Sequence, residues 1–203
     1  PGLQAGADRR QQAIERRLGD FWAIWPERYP EIGARWQLIL VALRLLSTAA
    51  RVERELKATK GSVATLVARY ANTTDTPWCL LDTYHRYLEH RCQDFDFDPN
   101  TARHATLEQL LARARQRYME VGGALAERFL DALAAGRFEA PGVDRQTGIY
   151  ARSVAPAVAA GKKVAYVLVD ALRYEMAREL VGALERDYDV ALSSAYATPP
   201  TIT

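Results

Sequence analysis

The residues with the clearest capacity for chemistry stand near the carboxyl end of the sequence. Asp170 follows the apolar run Val-Ala-Tyr-Val-Leu-Val at 164–169, and the stretch Ala-Thr-Pro-Pro-Thr-Ile-Thr occupies 197–203. A carboxylate and two hydroxyls of this kind can share one bound cation, provided the fold brings them together. The pattern between them supplies a way. The β-branched run reads as a strand buried on both faces of a parallel sheet, with Asp170 at its carboxyl end. Met176, Leu180, Val181 and Leu184 then recur at helical spacing from Arg173 to about Asp187, and the chain returns through Val190, Leu192 and Tyr196. In such a strand-helix-strand unit the crossover is right-handed and both strands end on the same side of the sheet, where open α/β sheets bind ligands. Adjacent strands lie about 4.8 Å apart, so the unit would place Asp170 beside the threonine loop. The plainer alternative makes Asp170 a helix cap and the Thr-Pro-Pro-Thr stretch an ordinary turn.

Other readings of Asp170 lack a necessary part. A Rossmann site needs Gly-x-Gly-x-x-Gly after the strand, and Asp-Ala-Leu-Arg-Tyr-Glu has no glycine. A haloacid-dehalogenase-like phosphatase needs a second Asp where Leu172 stands. A response-regulator receiver needs an earlier strand-helix unit with an acidic pair, which 136–162 do not supply.

Val-Asp-Ala-Leu-Arg-Tyr-Glu at 169–175 and Pro-Thr-Ile-Thr at 200–203 resemble the opening of the PglZ domain, a family of the alkaline phosphatase superfamily found in a bacterial phage-exclusion defence system. The resemblance covers about the last fifth of the chain. It implies that Asp170 is a metal ligand and that Thr203 is both nucleophile and metal ligand, with Thr201 in that role if the register is two residues earlier. Arg173 matches the motif, and the resemblance implies that it contacts phosphate or orients Asp170. The implied chemistry is phosphomonoester or phosphodiester hydrolysis at two divalent ions, zinc in the family pattern, with a threonine nucleophile. The superfamily's remaining Asp and His ligands would fall after Thr203, so the 203 residues are expected not to hold the ions fully by themselves, nor to be active alone. The implied partners are other proteins of the defence system and a phosphate ester substrate, nucleic acid being one option.

Residues 1–135 read as one helix after another. Arg9 to Leu18 opens the series, and Phe21, Trp22, Trp25, Pro26, Tyr29 and Pro30 make a proline-broken aromatic corner. A long helix follows from about Glu31 to Lys60 with a stripe of Trp36, Leu40, Leu43, Leu46 and Ala50, closed by Gly61. Ser62 to Ala71 is a shorter helix. Thr76 before Pro77 has the form of a cap followed by proline at the first helical position. The helix from there to about Cys92 carries Trp78, Leu81, His85 and Leu88, with His85 expected as a core or boundary residue. Thr106 and Gln109 have capping-box spacing and are expected to open a last long helix through the Gly122-Gly123 pair. Its arginines, 103, 113, 115, 117 and 128, form a basic face expected to be solvated.

Several site patterns fail on spacing. His85 and His90 are five apart, where the zinc-protease motif needs four with Glu next to the first. Asp94, Asp96 and Asp98 alternate like a calcium loop, but Pro99 and Ala105 stand where glycine and a bidentate Glu belong. His104 stands alone.

The 203 residues are 49% hydrophobic with a net charge of +2, enough for one large or two small domains and neutral on the question of nucleic acid. Only four of the 27 basic residues are lysine, a bias that arginine-for-phosphate binding or simply a GC-rich genome would produce. Cys79 and Cys92 suggest reduced thiols. The amino-terminal residues have no apolar signal-like core, the sequence does not open on methionine, and the apolar run Trp36–Leu46 contains Arg44 and falls short of the roughly twenty residues of a span. The expectation is therefore a cytoplasmic piece of a longer protein with no membrane contact. Its fold class is α plus α/β: a helical domain (1–135), a linker (136–162) rich in glycine and proline, and the first strand-helix-strand unit of an alkaline-phosphatase-like parallel sheet (163–203). The competing reading is a non-catalytic helical docking module within a multi-protein defence complex.

Overall fold

The computed structural model describes residues 9–16, 30–72, 76–93, 95 and 102–197. The chain is mostly helical, with one small parallel sheet. It folds as two compact units, each of which draws on two separate stretches: residues up to Lys60 with Leu80–Glu127, and Gly61–Cys79 with Arg128–Thr203.

The first unit is built on α1 (residues 9–16), α2 (Pro30–Ala58), α4 (Leu80–Gln93) and the larger part of α5 (Ala102–Ala135). Leu38, Val41, Ala42, Leu45, Ala49, Val52 and Leu56 of α2 are buried at helical spacing. Leu81 and Leu88 of α4 and Leu107, Leu111, Ala114 and Val121 of α5 are buried likewise. This corrects the stripe expected for α2. Of Trp36, Leu40, Leu43, Leu46 and Ala50, only Leu40 is fully buried. Trp-Gln-Leu-Ile-Leu-Val-Ala-Leu at 36–43 is apolar around most of the helix circumference, so periodicity there fits two adjacent faces equally. Arg44, which pairs with Glu15 at 2.7 Å, and the half-buried Arg51 mark the face turned away from the core.

By length and composition Ile32–Ala58 could cross a membrane, a longer apolar stretch than the sequence reading allowed. Its leucine and valine stripe is nonetheless packed inside the first unit, as in the core helix of a globular bundle.

Charged pairs tie the helices of this unit together. Arg117 reaches Glu53 of α2 at 2.6 Å and Glu120 on its own helix at 2.6 Å, while Lys57 holds the other Glu53 oxygen at 2.8 Å. Arg115 grips Glu89 of α4 with two bonds, 2.7 and 3.1 Å. The Tyr118 hydroxyl donates to Asp82 at 2.8 Å, and its ring stacks on His85 with centroids 3.7 Å apart. His85 is thus a boundary residue, as its position on the helix suggested.

Two helix starts differ from those expected. Helix α5 begins at Ala102, leaving Thr106 inside it rather than capping it. Ala, Arg and Ala at 102, 103 and 105 are good helix formers, so nothing stops propagation upstream of the capping-box residues. Helix α4 begins at Leu80 rather than at Pro77. The Trp78 and Cys79 amides are turned instead to the last carbonyls of α3 (Val63–Tyr70), donating to Arg69 and Tyr70 at 3.1 and 3.2 Å.

The second unit contains α3, the end of α5, β1 (Asp144–Arg145), a single π-helical turn at Tyr150–Val154 that runs into α6 (Ala155–Ala159), α7 (Tyr174–Leu184) and β2 (Ala195–Tyr196). Val63, Leu133, Ala140 and Tyr196 form its core, with Val67, Phe129, Ala132 and Val143 packed on them. Strands β1 and β2 pair in parallel, Asp144 opposite Ala195 and Arg145 opposite Tyr196, and the Arg145 Nε donates to the Tyr196 hydroxyl at 2.9 Å. Helix α5 closes with Phe138 N–H bonded to Leu133 C=O at 2.8 Å, which forces left-handed φ angles of 54° and 61° on Arg137 and Phe138. Such a conformation costs a non-glycine residue roughly 1–2 kcal/mol. The glycine lies one position earlier because a Cβ on Gly136 would sit 2.7 Å from the Glu139 carbonyl oxygen.

The largest departure from the sequence reading is at 164–169. No strand forms there: the segment belongs to no ladder among the described residues, and Val164, Tyr166, Val167, Leu168 and Val169 are all exposed, Leu168 by 78%. A β-branched run supplies the side chains of a buried strand but not its neighbours, and a strand exists only through hydrogen bonds to another. The return strand is likewise short, two residues, and its partner is β1 rather than the 164–169 run.

Candidate functional site

Asp170 sits at an elbow. Helix α6 ends in a Schellman closure, with Lys162 N–H bonded to Ala157 C=O at 3.0 Å and Gly161 at φ 72°. The chain then runs without regular structure to Asp170, turns through Ala171 at φ 55°, and enters α7 at Tyr174. Asp170 Oδ1 accepts the Ala171 N–H at 2.9 Å, and the residue is exposed. The cap position of α7 belongs to Arg173, whose side chain makes no cap bond, so Asp170 does not cap this helix.

Arg173 turns towards its own helix. Its Nε lies 2.8 Å from Glu175 Oε1, an ion pair whose alignment is not that of a hydrogen bond. Glu175 has a fully buried side chain and is the one buried residue of α7. A carboxylate in the first turn is favoured there by the helix dipole and by the guanidinium beside it. The pair fixes the first turn of α7 directly after the Asp170 elbow.

The same helix carries a second set of polar contacts within the unit. The Tyr174 hydroxyl donates to the Ala71 carbonyl at 2.6 Å and its ring tilts against Tyr70, with centroids 6.3 Å apart. Burial pushes the Tyr174 hydroxyl's pKa up, with the neighbouring Cys79 adding to the rise and Arg178 opposing it. Arg178 Nη1 approaches the sulfur of buried Cys79 at 3.8 Å. Sequence reasoning placed Glu175 in a motif without assigning it a role and passed over Arg178. The signal for both lay in the helical period, since 174, 175 and 178 share a face.

Of the site residues expected from the sequence, Asp170 and Arg173 are described, three positions apart on either side of the elbow. Thr201 and Thr203 lie outside the described residues, as do the aromatic corner at 21–29 and Asp94, Asp96 and Asp98. Among the described residues no group of three or more His, Cys, Asp or Glu side chains is placed to hold a metal ion. Asp170 can supply one ligand; the described residues do not make up a two-ion centre. No protein-family model matches the chain, and searches of curated proteins and of solved structures found no similar protein.

Proposed function

We propose that this chain contributes part of a metal-dependent phosphoesterase of the alkaline phosphatase superfamily, in a phage-defence protein of the PglZ kind. Asp170 would be a ligand, Thr203 the attacking hydroxyl with Thr201 the alternative, and Arg173 a residue at the edge of the site. The observation that carries this reading is the state of Asp170: an exposed carboxylate on a left-handed elbow, bonded to the next amide and neither capping α7 nor engaged in an ion pair among the described residues. The run before it adds support. Side chains of the Val-Ala-Tyr-Val-Leu-Val type are suited to sheet neighbours on both edges and packed layers on both faces.

The test is made in a protein that carries the superfamily's remaining Asp and His ligands. Asp170→Ala is expected to lose both hydrolysis of a generic phosphodiester and bound zinc, with the melting temperature unchanged. Thr203→Ala is expected to lose hydrolysis while keeping metal, and Thr201→Ala to keep both. If Thr201→Ala rather than Thr203→Ala abolishes turnover, the nucleophile is two residues earlier; if all three stay active, the reading fails. The second reading, a helical docking module within a defence complex, then takes its place. It is favoured by Met119, a flexible apolar side chain 68% exposed on α5, of the type found on adaptable binding faces.

A further inference from the structure

Every residue from Gly161 to Arg173 is exposed, and two left-handed residues bracket the stretch, Gly161 at φ 72° and Ala171 at φ 55°. Among the described residues no backbone hydrogen bond joins 163–169 to another part of the chain. Its core, Val-Ala-Tyr-Val-Leu-Val, has no charge, no proline and no glycine. A segment of that composition with unpaired N–H and C=O groups is a ready edge for another strand.

The charges at its two ends bear on which strand that is. Lys162 and Lys163 stand before the run and Asp170 after it, and none of the three makes an ion pair among the described residues. Two copies of the segment laid antiparallel would bring the basic end of each to the acidic end of the other. A two-fold axis between such strands puts equivalent residues of both copies on the same face, so paired positions must differ by an even number. Lys162 and Asp170 meet that condition and Lys163 and Asp170 do not. The register is then centred on Tyr166, with Lys162 opposite Asp170 at both ends, Val164 opposite Leu168 and Ala165 opposite Val167.

The backbone agrees with this register. Lys162 N–H is already bonded to Ala157 C=O at 3.0 Å. In an antiparallel ladder every second pair exchanges no backbone bonds and brings its side chains closest. If Lys162 and Asp170 form such a pair, the bonds fall on Lys163 with Val169 and Ala165 with Val167, whose N–H and C=O groups have no bond among the described residues. Lys162, Val164, Tyr166, Leu168 and Asp170 then share one face. We infer that this chain associates with a second copy of itself through antiparallel pairing of 162–170 across a two-fold axis. Two strands alone are marginal in water, so the dimer is weak and forms in concentrated solution. The inference does not rest on the phosphoesterase reading.

Sedimentation of the full 203-residue chain over a concentration series at low salt tests it. The expected result is a monomer-dimer equilibrium. Ala165→Pro, which removes an N–H of the ladder at an exposed position, is expected to leave only monomer with an unchanged circular dichroism spectrum. Lys162→Glu is expected to weaken the dimer by about ten-fold, because two opposite-charge pairs become like-charge pairs. Adding Asp170→Lys to Lys162→Glu is expected to restore the affinity, and Lys163→Glu to change it by less than about two-fold. The inference is overturned if the chain stays monomeric throughout, if the double reversal restores nothing, or if Lys163→Glu rather than Lys162→Glu weakens an open-ended association. The first of these results would leave the edge to a strand of a different protein, and the last would show the odd register, which cannot close on a two-fold axis.

Discussion

The two units solve the same problem with opposite means. In the first, every main element is a helix that satisfies its own backbone, and its apolar stripes and ion pairs close on one another: Leu45 and Val52 inside, Arg117 on Glu53 and Arg115 on Glu89 at the margin. In the second, a small core around Leu133 and Tyr196 coexists with Val167 and Leu168 exposed by 75% and 78%. Helices are local, so a sequence of this length can complete them; a strand is a relation between distant segments, and the 164–169 run has no such relation among the described residues. The stability of the first unit should therefore respond strongly to single side chains, and that of the second hardly at all along this run.

Three changes would sharpen or break that contrast. The largest effect is expected from Leu45→Ala, which empties a fully buried site on α2; comparable core truncations cost about 2–5 kcal/mol, visible as a lower denaturant midpoint of the first unit. A shift below about 1 kcal/mol would mean that the stripe is not a packed core.

A smaller effect concerns acid. The Arg115 side chain holds the Glu89 pKa below its ordinary value of 4.5, with His85 lowering it further and partial burial opposing. A carboxylate depressed in the folded state stabilises above its unfolded pKa and loses that contribution as the pH falls through the folded value. The first unit should thus weaken below about pH 4.5, and Glu89→Gln should flatten that part of the pH-stability curve. Because 39% of the Glu89 side chain is exposed, the pair is expected to contribute no more than about 1 kcal/mol at neutral pH. An unchanged curve would remove the Arg115 pair from the account.

The smallest effect is expected at the exposed run. Leu168→Gln should change stability by less than about 0.5 kcal/mol in this chain, measured by the melting temperature, and should improve solubility, because it breaks an uncharged, β-prone surface segment. A loss of several kcal/mol would show that Leu168 is covered in solution.

Much of the helical architecture was legible in the order of residues. Pro30–Ala58, Val63–Tyr70 and Tyr174–Leu184 follow from apolar spacing, Gly61 and the proline punctuation, because helix bonds join residues four apart and the information lies within each segment. Which face of α2 is buried was not legible, since Trp36 to Leu43 offers two apolar faces and the choice between them depends on what packs against the helix. The start of α4 escaped for a similar reason: the amides of Trp78 and Cys79 serve α3, a bond between segments that no cap signature encodes. At the candidate site, the sequence alone singled out Asp170 and the helix after it. The left-handed turn at Ala171, the burial of Glu175 against Arg173 and the failure of Val164–Val169 to pair were decided by tertiary structure, because each depends on what the rest of the chain places beside it.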